Sequence, residues 1–159
     1  MDDLRAARAK VILLVRQPWI CFARAFKLGW FREKPIIPAL QDYGAFICDT
    51  FNQAYKDLQG YRKGSWMTVR HEDVTSEQAL THVFKLATFL GLNVSEKAVR
   101  AVTDKVSGQS YASMKPSPLE QQLSLQLASR NETEWVRYMA DTLPQCKLAM
   151  DTFRYAVPG

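Results

Sequence analysis

Two short apolar segments stand out in the hydrophobic pattern of the chain, and longer amphipathic segments separate them. Val11–Val15 is continuously apolar and rich in β-branched residues, which is typical of a strand buried on both faces of a parallel sheet. Trp66–Arg70 is a second short β-prone run, and a Lys-Gly-Ser turn precedes it. Strands that alternate with helices predict an α/β fold in which helices flank a small parallel sheet.

Apolar residues recur every three or four positions in the segments between and after these strands. Pro18 opens a first helix, and the two prolines within residues 31–40 predict a loop after it. A long helix is predicted over residues 39–59, and another ends at Gly91, after which Ser95 caps the next. Two further segments, residues 119–127 and residues 133–155 with a break at Pro144, are predicted to be mostly helical.

Arg16 is the leading candidate for a binding residue, because it follows the first strand directly and precedes the helix opened by Pro18. The amides at a helix N-terminus attract phosphate or sulfate, and a guanidinium beside them adds a bidentate charged partner. This order of residues predicts an anion site. The alternative is that Arg16 pairs with a nearby carboxylate at the end of the strand.

Length and charge limit the classes of protein to consider. A chain of 159 residues with 47% hydrophobic content predicts one domain, residues 1–159, with a real core. The net charge of +5 suits an anionic ligand, but the 21 basic residues are scattered and form no dense stripe of the kind that nucleic acid requires. The five residues Val11–Val15 are too few to span a bilayer.

Other reactive residue types give weaker signals. Cys21, Cys48 and Cys146 are odd in number and widely spaced, so we expect buried small side chains rather than a metal site or a defined disulfide framework. Asn93 and Asn131 begin sequons, which would accept glycans if the chain entered the secretory pathway. The histidines lack metal-ligand spacing, so no metal site is predicted.

The residues around Arg16 resemble a known family. Arg16-Gln17-Pro18 at the end of an apolar strand is similar to the R-x-P segment that binds the 3′-phosphate of 3′-phosphoadenosine-5′-phosphosulfate (PAPS) in sulfotransferases. From Trp66 the chain is similar in order to that family's strand, "YEDL" turn, helix ending in "FLG", second helix and "SF-x-x-M-K" loop. The resemblance covers residues 10–118 and implies part of a three-layer, P-loop-NTPase-like sulfotransferase fold of the carbohydrate type.

The resemblance also implies which residues contact the donor nucleotide. Arg16 would bind the 3′-phosphate, and Arg24 occupies the position of the serine that shares this contact in the family. Arg24 either meets the phosphate or points to solvent. Ser110, Tyr111 and Met114 would contact the adenine, and the alternative is that Tyr111 and Met114 pack on the core.

The family's Ser/Thr/Gly-rich loop, which cradles the phosphosulfate, has no counterpart in the chain. We therefore expect the carboxyl-terminal part of a sulfotransferase domain, without catalytic residues of its own and inactive in isolation. The resemblance implies PAPS as cofactor, no metal, and a carbohydrate or other hydroxyl or amine as acceptor of the sulfuryl group. It also implies the Golgi lumen or membrane, if the chain belongs to a longer anchored protein. The alternative is a catalytically inactive binding or assembly module.

Overall fold

The computed structural model describes residues 9–31, 34–75, 79–101 and 118–157. The fold is α/β, mostly helical with a two-stranded parallel sheet. Its elements, in chain order, are β1 (Val11–Val15), α1 (Pro18–Lys27), α2 (Ile36–Gln59), β2 (Trp66–Arg70), α3 (His71–Thr75), α4 (Ala79–Leu90), α5 (Pro118–Leu127), α6 (Glu132–Thr142) and α7 (Pro144–Thr152). Residues 96–101 are also helical.

The chain forms two compact units. The first, called here the sheet unit, comprises residues 1–15 and 57–114 and contains β1, β2, α3 and α4. The second, called the helical unit, comprises residues 16–56 and 115–159 and contains α1, most of α2, and α5 to α7. The helical unit is therefore assembled from two segments that are distant in sequence.

The sheet unit contains the predicted parallel pairing. Val11 lies opposite Trp66, and Val15 lies opposite Arg70. The prediction of two short strands in parallel register is thereby confirmed. β2 leads directly into α3, which packs against α4.

The expected burial of β1 on both faces is wrong. Leu14 is 58% exposed and Ile12 is 38% exposed, whereas Val15 is only 1% exposed. Two-sided burial needs helices on both faces of a sheet, and the described part of the chain leaves Ile12 and Leu14 uncovered. The continuous apolar run indicated the strand correctly but not its surroundings.

The end of α4 and the start of the next helix follow the sequence prediction. Gly91 has a φ of +75°, and its amide and that of Leu92 donate to the carbonyls of Thr88 and Ala87. This is the paired hydrogen-bond pattern that ends a helix at glycine. Ser95 then caps the helix of residues 96–101, because its hydroxyl accepts a hydrogen bond of 3.2 Å from the amide of Ala98.

The core of the helical unit is built from large side chains of several helices. α1 packs against α5 and α6. α2 begins at Ile36, three residues before the predicted start, and it includes Pro38 in its first turn. Proline is tolerated there because the first-turn amides have no partner within the helix. The largest fully buried side chains of this unit include Phe22, Phe26, Leu40, Trp135, Met139 and Met150.

A disulfide joins Cys48 of α2 to Cys146 of α7, and their Cα atoms are 4.9 Å apart. Both residues are fully buried. The expectation that they are separate small apolar side chains is therefore wrong, and Cys21 is the cysteine that takes no part in the disulfide. The pairing depends on how α2 and α7 pack, which the spacing of cysteines along the chain does not encode.

Candidate functional site: a cation-lined cavity

The N-terminus of α1 is organised by Gln17. Gln17 is the N-cap residue, and its Oε1 accepts a hydrogen bond of 2.8 Å from the amide of Ile20. Pro18 occupies the first helical position and has no amide hydrogen. Gln17 therefore takes up one of the amides that were expected to attract an anion. Charged side chains, rather than the helix end alone, must supply most of the attraction.

Such side chains surround a cavity of about 460 Å³ in the helical unit. The lining residues come from α1 and the residue before its cap, from α5 and the link that follows it, and from the start of α6. Four of them are cations, namely Arg16, Arg24, Lys27 and Arg130. Glu132 is the acidic residue in the lining. The cavity therefore carries an excess of positive charge, which favours an anionic ligand.

Arg16 is half-buried at the edge of this cavity. Its Nε atom is buried and has no hydrogen-bond partner among the described residues. The described residues also place no carboxylate within ion-pair distance of its guanidinium. The described structure therefore does not contain the alternative, an ion pair between Arg16 and a carboxylate at the strand end. A buried donor of this kind is costly unless something else accepts its hydrogen bond.

Arg24 lines the same cavity as Arg16. Arg16 precedes the N-cap of α1 and Arg24 lies within α1, and Ile20, which also lines the cavity, lies between them in sequence. Arg24 is exposed and has other interactions within the protein. Arg24 thus faces the cavity and is also open to solvent, and whether it meets a phosphate stays a prediction.

Two stacked tryptophans form an apolar wall of the cavity. The rings of Trp19 and Trp135 have centroids 5.1 Å apart and planes inclined by 11°. Trp135 Nε1 donates a hydrogen bond of 2.8 Å to the carbonyl of Leu127 at the end of α5. Since Trp135 is 1% exposed, this bond satisfies its polar atom and fixes its ring against α5.

Arg130 is held beside this wall by aromatic rings. Its guanidinium carbon lies 5.0 Å from the ring centroid of Trp135 and 4.7 Å from that of Tyr138. These are cation–π distances. The following residue, Asn131, forms a capping box with Glu134 and fixes the start of α6. The orientation of Arg130 is thereby set by the two aromatic rings and by the fixed start of α6.

Two of the cavity cations, Lys27 and Arg130, were not predicted from the sequence. Lys27 continues the face of α1 that carries Arg24, so helical spacing contained a signal for it. Arg130 reaches the cavity from the link between α5 and α6, and no local pattern indicated its approach to α1.

Three predicted binding residues, Ser110, Tyr111 and Met114, lie outside the described residues. Their assignment to the adenine therefore stays a prediction. Arg16 and Arg24 are brought to one cavity, but their contact with a nucleotide phosphate also stays a prediction.

The turn after β2 has a structural role in the sheet unit. Arg70 donates to Asp73 from Nε at 2.9 Å and from Nη2 at 2.5 Å. This hydrogen bonding lowers the pKa of Asp73 below its ordinary value, although partial burial opposes the change. His82 Nδ1 lies 3.8 Å from the same carboxylate. Asp73 is thus engaged in holding β2, α3 and α4 together.

Comparison with family models, with curated proteins and with solved structures gives no significant match. Within the described ranges, no helix is both long and apolar enough to cross a membrane. The same ranges bring together no group of three histidine, cysteine, aspartate or glutamate side chains that could hold a metal ion.

Proposed function

We propose that the chain is a sulfotransferase-like domain whose helical unit binds the 3′-phosphate side of PAPS. One observation carries this proposal. Arg16 and Arg24, the two positions that the resemblance assigns to the 3′-phosphate, line a single cation-rich cavity. The sulfotransferase fold is part of the same proposal, and the observed α/β architecture with its small parallel sheet is compatible with it.

The chemistry of the cavity supports an anionic ligand. The buried Nε of Arg16 needs an acceptor, and leaving such a donor unsatisfied costs about 1–3 kcal/mol. Phosphate oxygens accept strong hydrogen bonds from guanidinium groups. A volume of about 460 Å³ also falls within the usual range of small-molecule sites.

The remaining parts of the donor and acceptor sites belong to the proposal through the resemblance alone. Ser110, Tyr111 and Met114 would contact the adenine. In the proposed reaction, a hydroxyl or amine of a carbohydrate or similar acceptor attacks the sulfur atom of PAPS. The bond from sulfur to the bridging phosphate oxygen breaks, the acceptor loses its proton to a base, and adenosine 3′,5′-bisphosphate leaves.

The disulfide supports a location in the secretory pathway, for which the Golgi lumen is the proposed site. Disulfides form and persist in oxidising compartments and are rare in the cytosol. The pair Cys48–Cys146 is fully buried in the core of the helical unit.

Calorimetry with adenosine 3′,5′-bisphosphate tests the donor site. We expect Arg16→Ala to lose about 1.5–3 kcal/mol of binding free energy, because a hydrogen bond to a charged group is removed. This loss corresponds to about a ten- to hundredfold weaker affinity. Arg16→Lys should recover part of it, since lysine keeps the charge but not the bidentate geometry. The matched control is Arg62→Ala, because Arg62 is an exposed arginine of the sheet unit.

A second ligand separates phosphate recognition from general attraction between charges. Adenosine 5′-monophosphate lacks the 3′-phosphate, so its affinity should be nearly equal in the wild type and in Arg16→Ala. Equal bisphosphate affinity in these two proteins would remove Arg16 from the site. Labelled PAPS with mixed carbohydrate acceptors measures transfer separately. We expect binding without transfer by the isolated chain, and robust turnover would contradict the expectation that it lacks the catalytic residues.

A further inference from the structure

The two sequons of the chain differ in their structural setting. Asn93 lies in an exposed, irregular segment between α4 and the helix of residues 96–101. Asn131 is also exposed, but its side chain is the cap of α6, and its Oδ1 accepts a hydrogen bond of 2.9 Å from the amide of Glu134. The segment that carries Asn93 therefore offers an accessible amide without a role in a helix cap.

The surroundings of Asn93 can accommodate a large substituent. Its neighbours Gly91 and Leu92 are exposed, and so are Ser95 and Glu96. A glycan on Asn131, by contrast, would stand between Arg130 and Glu132, both of which line the cavity.

The disulfide provides an independent observation on the compartment. N-linked glycans are added in the same oxidising compartment in which structural disulfides form. The buried disulfide and the exposed sequon are therefore both consistent with passage of the chain through that oxidising compartment.

We infer that Asn93 is an N-glycosylation site of this protein. The co-reactant is an oligosaccharide linked to a lipid through pyrophosphate, and a membrane-bound transferase of the host catalyses the step. Asn93 Nδ2 forms a bond to C1 of the first N-acetylglucosamine, and the bond from C1 to the pyrophosphate oxygen breaks. Nδ2 loses one proton, and the lipid pyrophosphate is the leaving group. No oxidation or reduction takes place.

The test is expression of the full chain behind a cleavable secretion signal in a eukaryotic host. Treatment with peptide N-glycosidase should increase gel mobility and convert Asn93 to aspartate, which mass spectrometry of the peptide detects. Asn93→Gln should lose this glycan, and Asn131→Gln should keep it. An unglycosylated wild type, or a glycosidase-sensitive shift of full size in Asn93→Gln, would overturn the inference.

Two substitutions at Ser95 separate glycosylation from folding, because Ser95 also caps a helix. Ser95→Asp removes the sequon but keeps a side chain that caps well, so this variant should fold and lack the glycan. Ser95→Thr keeps both the sequon and the cap, so it should fold and carry the glycan. The opposite pattern of glycosylation in these two variants would contradict the assignment. Circular dichroism of both variants shows whether they are folded.

Discussion

The rings of Trp19 and Trp135 stack 5.1 Å apart, and through this contact α1 and α6 meet in the helical unit. Because Trp135 also donates to the Leu127 carbonyl, one side chain connects three helices. The same pair forms the apolar wall of the cation-lined cavity. The stacking of Trp19 on Trp135 therefore contributes both to the stability of the helical unit and to the shape of its cavity.

Replacing Trp135 should consequently destabilise the protein. Trp135→Phe leaves the Leu127 carbonyl without its donor and reduces the stacking area, so we expect a loss of about 2 kcal/mol in the free energy of unfolding. Trp135→Ala should lose about 3–5 kcal/mol. Urea unfolding followed by circular dichroism measures both. Trp30→Phe is the control, because Trp30 is 64% exposed and should change stability by no more than about 0.5 kcal/mol.

The second prediction concerns the disulfide. Cys48 and Cys146 are separated by 98 residues, so their bond restricts the unfolded chain over a long loop. The double variant Cys48→Ala/Cys146→Ala should lose about 2–4 kcal/mol of unfolding free energy. Cys21→Ala leaves the bond intact and serves as control. A reductant should lower the stability of the wild type and not of the double variant, and equal effects on both would contradict the prediction.

The exposed face of β1 leads to a third prediction. Leu14→Thr should change the free energy of unfolding by about 0.5 kcal/mol or less, since Leu14 is 58% exposed and threonine is well suited to strands. Val15→Ala should lose about 2 kcal/mol, because Val15 is 1% exposed. Urea midpoints of the two variants compare them directly. A larger loss in Leu14→Thr would mean that this face is covered in solution.

A fourth prediction follows from the lowered pKa of Asp73. A carboxyl group whose pKa is lower in the folded state contributes stability above its unfolded pKa, and this contribution is lost as the pH falls through the folded value. Asp73→Asn should therefore lower the free energy of unfolding at pH 7 by about 1 kcal/mol or less, since the pair is partly solvated. The difference from the wild type should shrink below about pH 4. A difference independent of pH would contradict this origin.

The fifth prediction distinguishes Arg16, which precedes the N-cap of α1, from Arg24, which lies within α1. Arg24 is exposed, and a solvated charge contributes about 0.2–1 kcal/mol, so Arg24→Ser should weaken binding of the bisphosphate by at most about fivefold. The serine also restores the residue type that the resemblance associates with the 3′-phosphate. Calorimetry at low salt compares this variant with Arg16→Ala. If Arg24→Ser loses more affinity than Arg16→Ala, Arg24 is the main phosphate ligand.

Local patterns predicted the parts of the fold that depend on neighbouring residues. The parallel pairing of β1 with β2, the glycine at the end of α4 and the cap at Ser95 all have short-range signals. Pro38 was misinterpreted because a proline in the first turn of a helix has the same sequence signature as a loop.

Contacts between distant segments could not be predicted in the same way. The Cys48–Cys146 bond and the approach of Arg130 to α1 both depend on how helices pack in three dimensions. The exposure of Leu14 also depends on which elements cover the sheet. The composition of the strand itself does not specify those elements. Of the candidate site, Arg16 could be proposed from its place between the first strand and the helix opened by Pro18, and Arg24 was proposed from the resemblance alone.

The order of segments in the helical unit has a consequence for limited proteolysis. Residues 57–114 lie in sequence between the two parts of that unit, and the Cys48–Cys146 bond links those parts. A single backbone cut within residues 57–114 would thus leave two peptides that remain covalently attached. The nicked protein would migrate as one band without reductant and as two bands with it.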